Sequence, residues 1–446
     1  MTQLFALHSV YGLATAAAAI DGGLIPESGD RLLVPFTSSR IPEISLGIHA
    51  DPSLRSLRER FDRIEDLDEL MGAAHPSSWK PRDADLPMLE RLLTRAWSID
   101  PQDLELFVQS PQVAPARTLM TLFPSASVTI VGDGLMTYSP MRVKLPHTVA
   151  ARIVRVVHAD VVPGVRPLAG APHADAVPVP PALFGSALAE TAHDASPEES
   201  DVPTVLVLGQ YLAALGLVSE AEEVAMQVEM LDRAVSWAPE RIVFKPHPAA
   251  PPLFTDALRR RAAFHGIGFD EYRGPLAAEL LAERLDVRAV VAGFSTALPT
   301  VHALHGREIG SAGNETVLSR LTPFENSNRI PATIVDALTR EDPRWTDATA
   351  LQQLVDAVGY AMQPELVAHL RPRAEDLLES LEPAERDRYF APARLAALRL
   401  PGAPAPTPVQ RALRPAGGIG RVEELRLTAL GVRRRAGRAW KAIRGR

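Results

Sequence analysis

Three short stretches combine residue types that can move a proton or hold an anion. The first is Asp133-Gly134, which closes the β-branched run "SVTIVGDG" (127–134). The second is Lys245-Pro246-His247-Pro248, directly beyond "RIVF" (241–244). The third is Gly293-Phe294-Ser295-Thr296, where "VRAVVAG" (287–293) gives way to "TALPTVHALHG" (296–306). A carboxylate can take a proton from an attacking hydroxyl. A lysine, an imidazole and hydroxyls at a helix start can hold a phosphate.

Each stretch also has a purely structural reading. Asp-Gly is a turn signal. Proline fixes its own φ and drives the preceding residue out of the helical region, so Lys245 and His247 belong to a rigid strand exit in any case. Ser295 or Thr296 is a natural N-cap. Together, however, the three supply what group transfer from an activated nucleotide needs: a base for the acceptor and donors for a departing phosphate. No Asp-x-Asp pair stands at a comparable strand end, and no His/Cys cluster has metal-ligand spacing. A metal-free mechanism is the simpler expectation.

Such residues need sheets to carry them. Strands are expected at "QLFALHS" (3–9), "RLLVPFTSS" (31–39), "LELFVQS" (104–110) and "SVTIVGDG", with a turn at Tyr11-Gly12 and helices over 14–20, 83–99 and 115–122. After a Pro/Ala/acid-rich stretch the pattern restarts: strand 204–210, helix 220–238, strand "RIVFKPHP" (241–248), helices 252–266 and 276–284, strand 287–293, helix 296–306, and a strand at "REIGSAG". Alternating strands and helices indicate parallel α/β layers, and ligands in such sheets bind beyond the carboxyl ends of the strands. The expected organisation is a Rossmann-like acceptor-side domain (1–165), a linker (166–203), a Rossmann-like nucleotide-donor domain (204–345), C-terminal helices (346–400, including 349–361 and 382–398) and a Pro/Gly linker with a basic tail (401–446). Gly209-Gln210, ending the first strand of the second half, either approaches the nucleotide or only turns the chain. His8 and Ser9, ending the first strand of all, are candidates for the acceptor side.

Composition narrows the class. The 446 residues are 46% hydrophobic and 23% charged, with no cysteine, so disulfides and thiolate metal sites are excluded. The alanine-rich start lacks a basic region before it and is not read as a signal sequence. Residues 421–446 carry nine Lys/Arg against Glu423 and Glu424, a net of +7, so within a chain of −7 the other 420 residues sum to −14. An acidic body with a basic tail argues against a nucleic-acid-binding core. The tail spaces Leu425, Ala429, Val432, Ala436, Trp440 and Ile443 as an amphipathic helix would. It reads either as contact with an anionic inner-membrane surface or as a charged packing segment. The expected location is cytoplasmic, or peripheral on the inner membrane face.

The run "VGDGLMTYSP", with "FKPHP" and "AGFSTALPT", resembles the bacterial sialyltransferases and alpha-2,8-polysialyltransferases of GT-B fold, which carry an acid-acid-Gly motif in one domain and His-Pro and Ser/Thr motifs in the other. The likeness runs from "TQLFALHSVYGLATAAAA" to about residue 345, the linker excepted. The resemblance implies two Rossmann-like domains facing across a cleft. It implies an inverting, metal-independent transfer of sialic acid or a related ulosonic acid, including Kdo, from a CMP-sugar to a glycan or lipid-linked glycan hydroxyl. Asp133 would then be the general base, and His247 would stabilise the CMP phosphate with Lys245, Pro248, Ser295 and Thr296 around it. Gly209 and Gln210 would also lie at the nucleotide, and His8, Ser9 and Tyr138 on the acceptor side. No cofactor is implied, the CMP-sugar being a co-substrate. One departure stands out: Gly132 occupies the position of the motif's first acid.

Two other readings share these residues. Polyol-phosphate transferases of teichoic acid synthesis also carry a Lys-x-His-Pro run and expel CMP, from CDP-glycerol or a relative. The Asp-Gly-x-x-x-Tyr run (133–138) favours the sialyltransferase reading. A non-catalytic nucleotide-sugar-binding protein is the other, with Gly132 its sole support. His158, His173 and His193 are expected to be solvated, and His302 and His305 to pack on or face out from their helix.

Overall fold

The computed structural model describes residues 1–38, 47–192, 202–214, 216–247, 253–340 and 342–404. Seven strands in the first half, β1 (Thr2–Leu7), β2 (Asp30–Pro35), β3 (Arg63–Ile64), β4 (Leu104–Val108), β5 (Ser127–Val131), β6 (Ile153–Ala159) and β7 (Asp175–Val179), form one sheet. Five more, β8 (Thr204–Leu208), β9 (Arg241–Lys245), β10 (Gly268–Glu271), β11 (Ala289–Ala292) and β12 (Glu308–Ser311), form a second. The orders are β3-β2-β1-β4-β5-β6-β7 and β10-β9-β8-β11-β12. Every pairing among the described residues is parallel. Both orders reverse beside their first strand, which is the doubly wound Rossmann arrangement. The expected pair of Rossmann-like domains is present.

Helices cover both faces of each sheet, so central strands are apolar along their whole length rather than alternating. All five residues of β4 and of β8 are buried, and Phe5 stacks on Phe107 at 4.2 Å across β1 and β4. After the second sheet, the helix Ala348–Met362 returns to the first half of the chain. The Arg166 amide donates to Gln352 Oε1 at 2.6 Å, and Gly359 lies so close to Leu168 that a Cβ would come within 2.4 Å of its Cδ1.

Several expectations need correcting. Part of the segment read as a linker, 166–203, supplies β7 and the helix Pro181–Ala189. Its prolines are compatible with both. Pro178 sits on an edge strand that pairs only with β6, where a missing N–H costs no ladder bond, and Pro181 stands in the first turn of a helix, where its fixed φ is suited. The expected turn at Tyr11-Gly12 is helical: Val10–Asp21 begins before it and includes it. The stretch 382–398 is two helices, Pro383–Tyr389 and Pro392–Leu398, because Pro392 cannot continue the first. β6, β10 and the helices Asn314–Arg320 and Arg329–Thr339 were not anticipated, while Arg371–Ser380 falls within the expected helical region 346–400. Among the described residues, no helix is long and apolar enough to cross a membrane. The basic tail lies outside the described residues.

Candidate active site

The strand order reverses between β1 and β4, and the loops that leave those two strands hold the first cluster. Ser9, just past β1, is the N-cap of Val10–Asp21; its Oγ accepts from the Gly12 amide at 3.0 Å. The same Oγ accepts from Gln109 Nε2 at 2.6 Å and donates to Asp133 Oδ1 at 3.0 Å. Gln109, just past β4 and fully buried, also accepts from the amides of His8 and Ser9 through its Oε1. Gly12 makes this possible, since a Cβ there would lie 2.5 Å from Gln109 Oε1. Asp133, past β5 and half-buried, is therefore aimed by a serine that is itself fixed from two sides. On its other side the Asp133 amide donates to Thr137 Oγ1 at 2.7 Å.

His8 stands next to this carboxylate. Its Nε2 shares a hydrogen bond with Ser110 Oγ at 3.1 Å and its ring lies against Phe36. Burial lowers its pKa, against the opposing pull of Asp133.

The second cluster forms where β8 and β11 diverge. The Gly209 amide donates to the Lys245 carbonyl at 2.8 Å, and a Cβ on Gly209 would reach the Pro246 backbone at 3.1 Å. Gln210 Oε1 accepts from the Phe294 amide at 3.2 Å and lies where a side chain on Gly293 would have to go. Gly209-Gln210 thus fastens the Lys-Pro-His exit to the Ser/Thr loop. Lys245 Nζ donates to the Gly274 carbonyl at 3.1 Å and lies 5.1 Å from the Tyr272 ring centre; burial lowers its pKa. His247 is exposed at the end of β9, and the protein around it still holds its imidazole below the ordinary value by desolvation. Ser295 Oγ accepts from the Ala297 amide at 3.2 Å, which is the capping role open to it. Thr296 holds no capping bond.

The two clusters touch. Gly134, at φ +54, packs against Thr296 so closely that a Cβ would come 2.6 Å from its Cγ2. Only glycine combines that backbone with that approach. Of the residues expected here, the fold brings His8, Ser9 and Asp133 to one side of this contact and Gly209, Gln210, Lys245, His247, Ser295 and Thr296 to the other. Pro248 lies outside the described residues. Tyr138 is a correction: it is fully buried, edge-to-face with His158, and has no place on an acceptor surface. His158 is likewise buried, not solvated, and its pKa falls to about 4 through burial. His173 and His302 are exposed. His193 lies outside the described residues.

Gly132 also has a local reason. A Cβ there would lie 2.7 Å from Thr137 Oγ1 and 2.9 Å from His158 Cβ, so an acid in this position has no room.

A family model for alpha-2,8-polysialyltransferases matches residues 3–308, which includes all three motif stretches. The chain belongs to that family. It is a glycosyltransferase of GT-B architecture within the sialyltransferases. No curated protein matches the chain. Among solved structures, it is similar to a UDP-bound S. aureus MnaA at 12% identity, over 80% of this chain and 95% of that one, with a TM-score of 0.39. It is similar at 13% identity to a UDP-glucosyltransferase from Polygonum tinctorium, over 84% and 97%, with a TM-score of 0.40. Acinetobacter baumannii MurG matches at 11% identity, over 84% and 94%, with a TM-score of 0.36.

Sequence reasoning did not single out Gln109, Thr137, Tyr11 or Glu279. Gln109 and Thr137 follow the observed ends of β4 and β5 by one and six residues; Gln109 lies inside the expected strand 104–110 and Thr137 three residues beyond the expected strand 127–134, so nearness to a strand end was the available signal. Tyr11 and Glu279 carry no such mark and meet only because the two halves of the fold face each other.

Proposed function

We propose that the protein transfers sialic acid or a related ulosonic acid from a CMP-sugar to a glycan hydroxyl, with inversion and without a metal. The observation that carries this reading is the Ser9–Asp133 hydrogen bond at 3.0 Å, with the adjoining Gly134 packed on Thr296 of the opposite half. A carboxylate is thereby held at the seam with residues suited to a phosphate. The Asp133 carboxylate takes the acceptor hydroxyl's proton as that oxygen attacks the anomeric carbon. The bond from that carbon to the phosphate oxygen breaks, and CMP leaves with the electron pair. Lys245, a protonated His247 and the hydroxyls of Ser295 and Thr296 offset the charge on the departing phosphate, with Gly209-Gln210 beneath. His8 and Ser9 line the acceptor side.

Before the donor binds, desolvation holds the His247 pKa below its ordinary value, which leaves the imidazole neutral near pH 7. A phosphate beside it favours the charged form, so the imidazole gains its proton as the donor binds. A lipid-linked acceptor at the inner membrane face would suit the basic segment 421–446, which would hold the enzyme there as a cytoplasmic, peripheral protein. Flotation of the full chain with anionic vesicles, and its loss on truncation after residue 404, would support that placement; flotation unchanged by truncation would refute it.

The substrate class is tested by CMP release from CMP-sialic acid, CMP-Kdn, CMP-Kdo and CDP-glycerol with glycan acceptors and chelator present. Turnover of a CMP-ulosonate is the expected result. Turnover of CDP-glycerol alone would move the protein to polyol-phosphate transfer. Binding of CMP with no turnover of any donor would favour a nucleotide-sugar-binding protein.

A further inference from the structure

Glu279 is a carboxyl that none of the motifs uses. It lies in the first turn of the helix Ala278–Arg284, only 3% exposed, in a stretch where Leu276, Leu280, Leu281 and Ala282 are all buried. A carboxyl in such a place costs several kcal/mol unless it is paired. Its partner comes from the other half of the molecule. The Tyr11 hydroxyl donates to Glu279 Oε1 and lies 3.4 Å from Thr300 Oγ1.

Both ends of this contact lead to the site. Tyr11 stands in the first helical turn after Ser9, whose hydroxyl aims Asp133. Thr300 Oγ1 donates to the Thr296 carbonyl at 2.8 Å, and Thr296 is the residue on which Gly134 packs. Glu279 also lies close enough to Lys245 for the two to influence each other's ionisation. Burial raises the Glu279 carboxyl above its ordinary range, and burial with the adjacent carboxyl raises the Tyr11 phenol, so both favour the proton-bearing, hydrogen-bonded form. One polar contact in an apolar seam therefore joins the turn that positions the base to the strand exit and loop of the donor side.

We infer that Tyr11 and Glu279 are a pair of positioning residues, a latch between the two domains that sets the spacing of Asp133 from the donor-side residues. The kinetic part of this inference rests on the transferase reading above; the spacing part does not.

The chain has no cysteine, so a pair of introduced cysteines can be labelled without background. Met88 in the first half and Phe264 in the second, 55% and 75% exposed, are suitable sites for Met88→Cys and Phe264→Cys. Spin-label distances in the full-length protein are then compared for the parent, Tyr11→Phe, Glu279→Leu and Glu279→Gln. The latch predicts a narrow distribution in the parent and a longer, broader one in Tyr11→Phe and Glu279→Leu. Glu279→Gln, which keeps a carbonyl to accept from Tyr11, restores the parent distribution. It further predicts that kcat falls about tenfold or more in the first two variants while donor KM moves less than about threefold, because the closed population alone is reduced. The double variant Tyr11→Phe/Glu279→Leu should be no worse than the poorer single one, as expected of two ends of one contact. Tyr11→Phe removes a single oxygen and decides between latch and simple packing contact if Glu279→Leu fails to fold. Unchanged distances in a folded Tyr11→Phe would overturn the inference, even if its melting temperature drops. Should no variant turn over any donor, the distances still separate the two: lengthened in Tyr11→Phe for a latch, unchanged for a packing contact.

Discussion

The two halves of the site are built differently. On the first sheet a carboxylate is held by side chains: Ser9 on Asp133, with Gln109 and the Gly12 amide on Ser9. On the second sheet every such bond has a main-chain group on at least one end. Gly209 bonds to the Lys245 carbonyl, Gln210 to the Phe294 amide, and Lys245 to the Gly274 carbonyl, while His247 stands exposed. The first half is ready before any substrate arrives, as suits a base that must meet a hydroxyl in one geometry. The second half fixes a cradle but leaves the charge on its histidine to be completed by an anion.

That contrast can be broken at either side. The largest effect is expected from Asp133→Asn, which keeps shape but removes the proton acceptor; kcat should fall by about a thousandfold or more in a CMP-release assay. His247→Ala should cost about a hundredfold in kcat/KM for the donor, the scale of losing one stabilising group at a developing charge. Gly132→Asp, which would write the family's first acid back into the chain, should destabilise the fold by about 2 kcal/mol through overpacking against Thr137 and His158. Urea unfolding measures this, and a variant as stable as the parent with higher activity would contradict the steric account. Ser9→Ala leaves Asp133 in place without its aim and should lower kcat by about tenfold with donor KM little changed. Smallest is the pH effect. Because desolvation lowers the His247 pKa and a neighbouring anion raises it again, donor binding should take up a fraction of a proton. Affinity should rise a few-fold as pH falls from 8 towards 6, about 0.6 kcal/mol or more, then level off below the pKa that His247 has before the donor binds. Calorimetry in buffers of different ionisation enthalpy reads the proton directly, and His247→Ala should abolish the uptake.

Much of the second half was legible as sequence because strand exits marked by Pro or Gly, such as Lys245-Pro246 and Gly293, announce where side chains emerge from a parallel sheet. Asp133 was legible for the same reason. The edge of the first sheet was not: β7 contains Pro178 and lies in a Pro/Ala-rich stretch, and composition cannot tell a tolerated edge proline from a linker proline. Tyr138 and His158 were misplaced because polar-tipped aromatics in strand or turn positions look alike whether the fold buries them or not. Gln109, Tyr11 and Glu279 were missed because their roles come from partners at least 100 residues away in the chain, and no local pattern reports such a partner.

The most direct test of the account is to measure CMP affinity and donor turnover on the same preparations of Asp133→Asn and His247→Ala. The expected result separates binding from turnover: Asp133→Asn binds CMP as the parent does but does not turn over, whereas His247→Ala loses CMP affinity along with turnover. Weakened CMP binding in Asp133→Asn with parent-like binding in His247→Ala would contradict it, since the carboxylate would then belong to the donor side and the histidine would not.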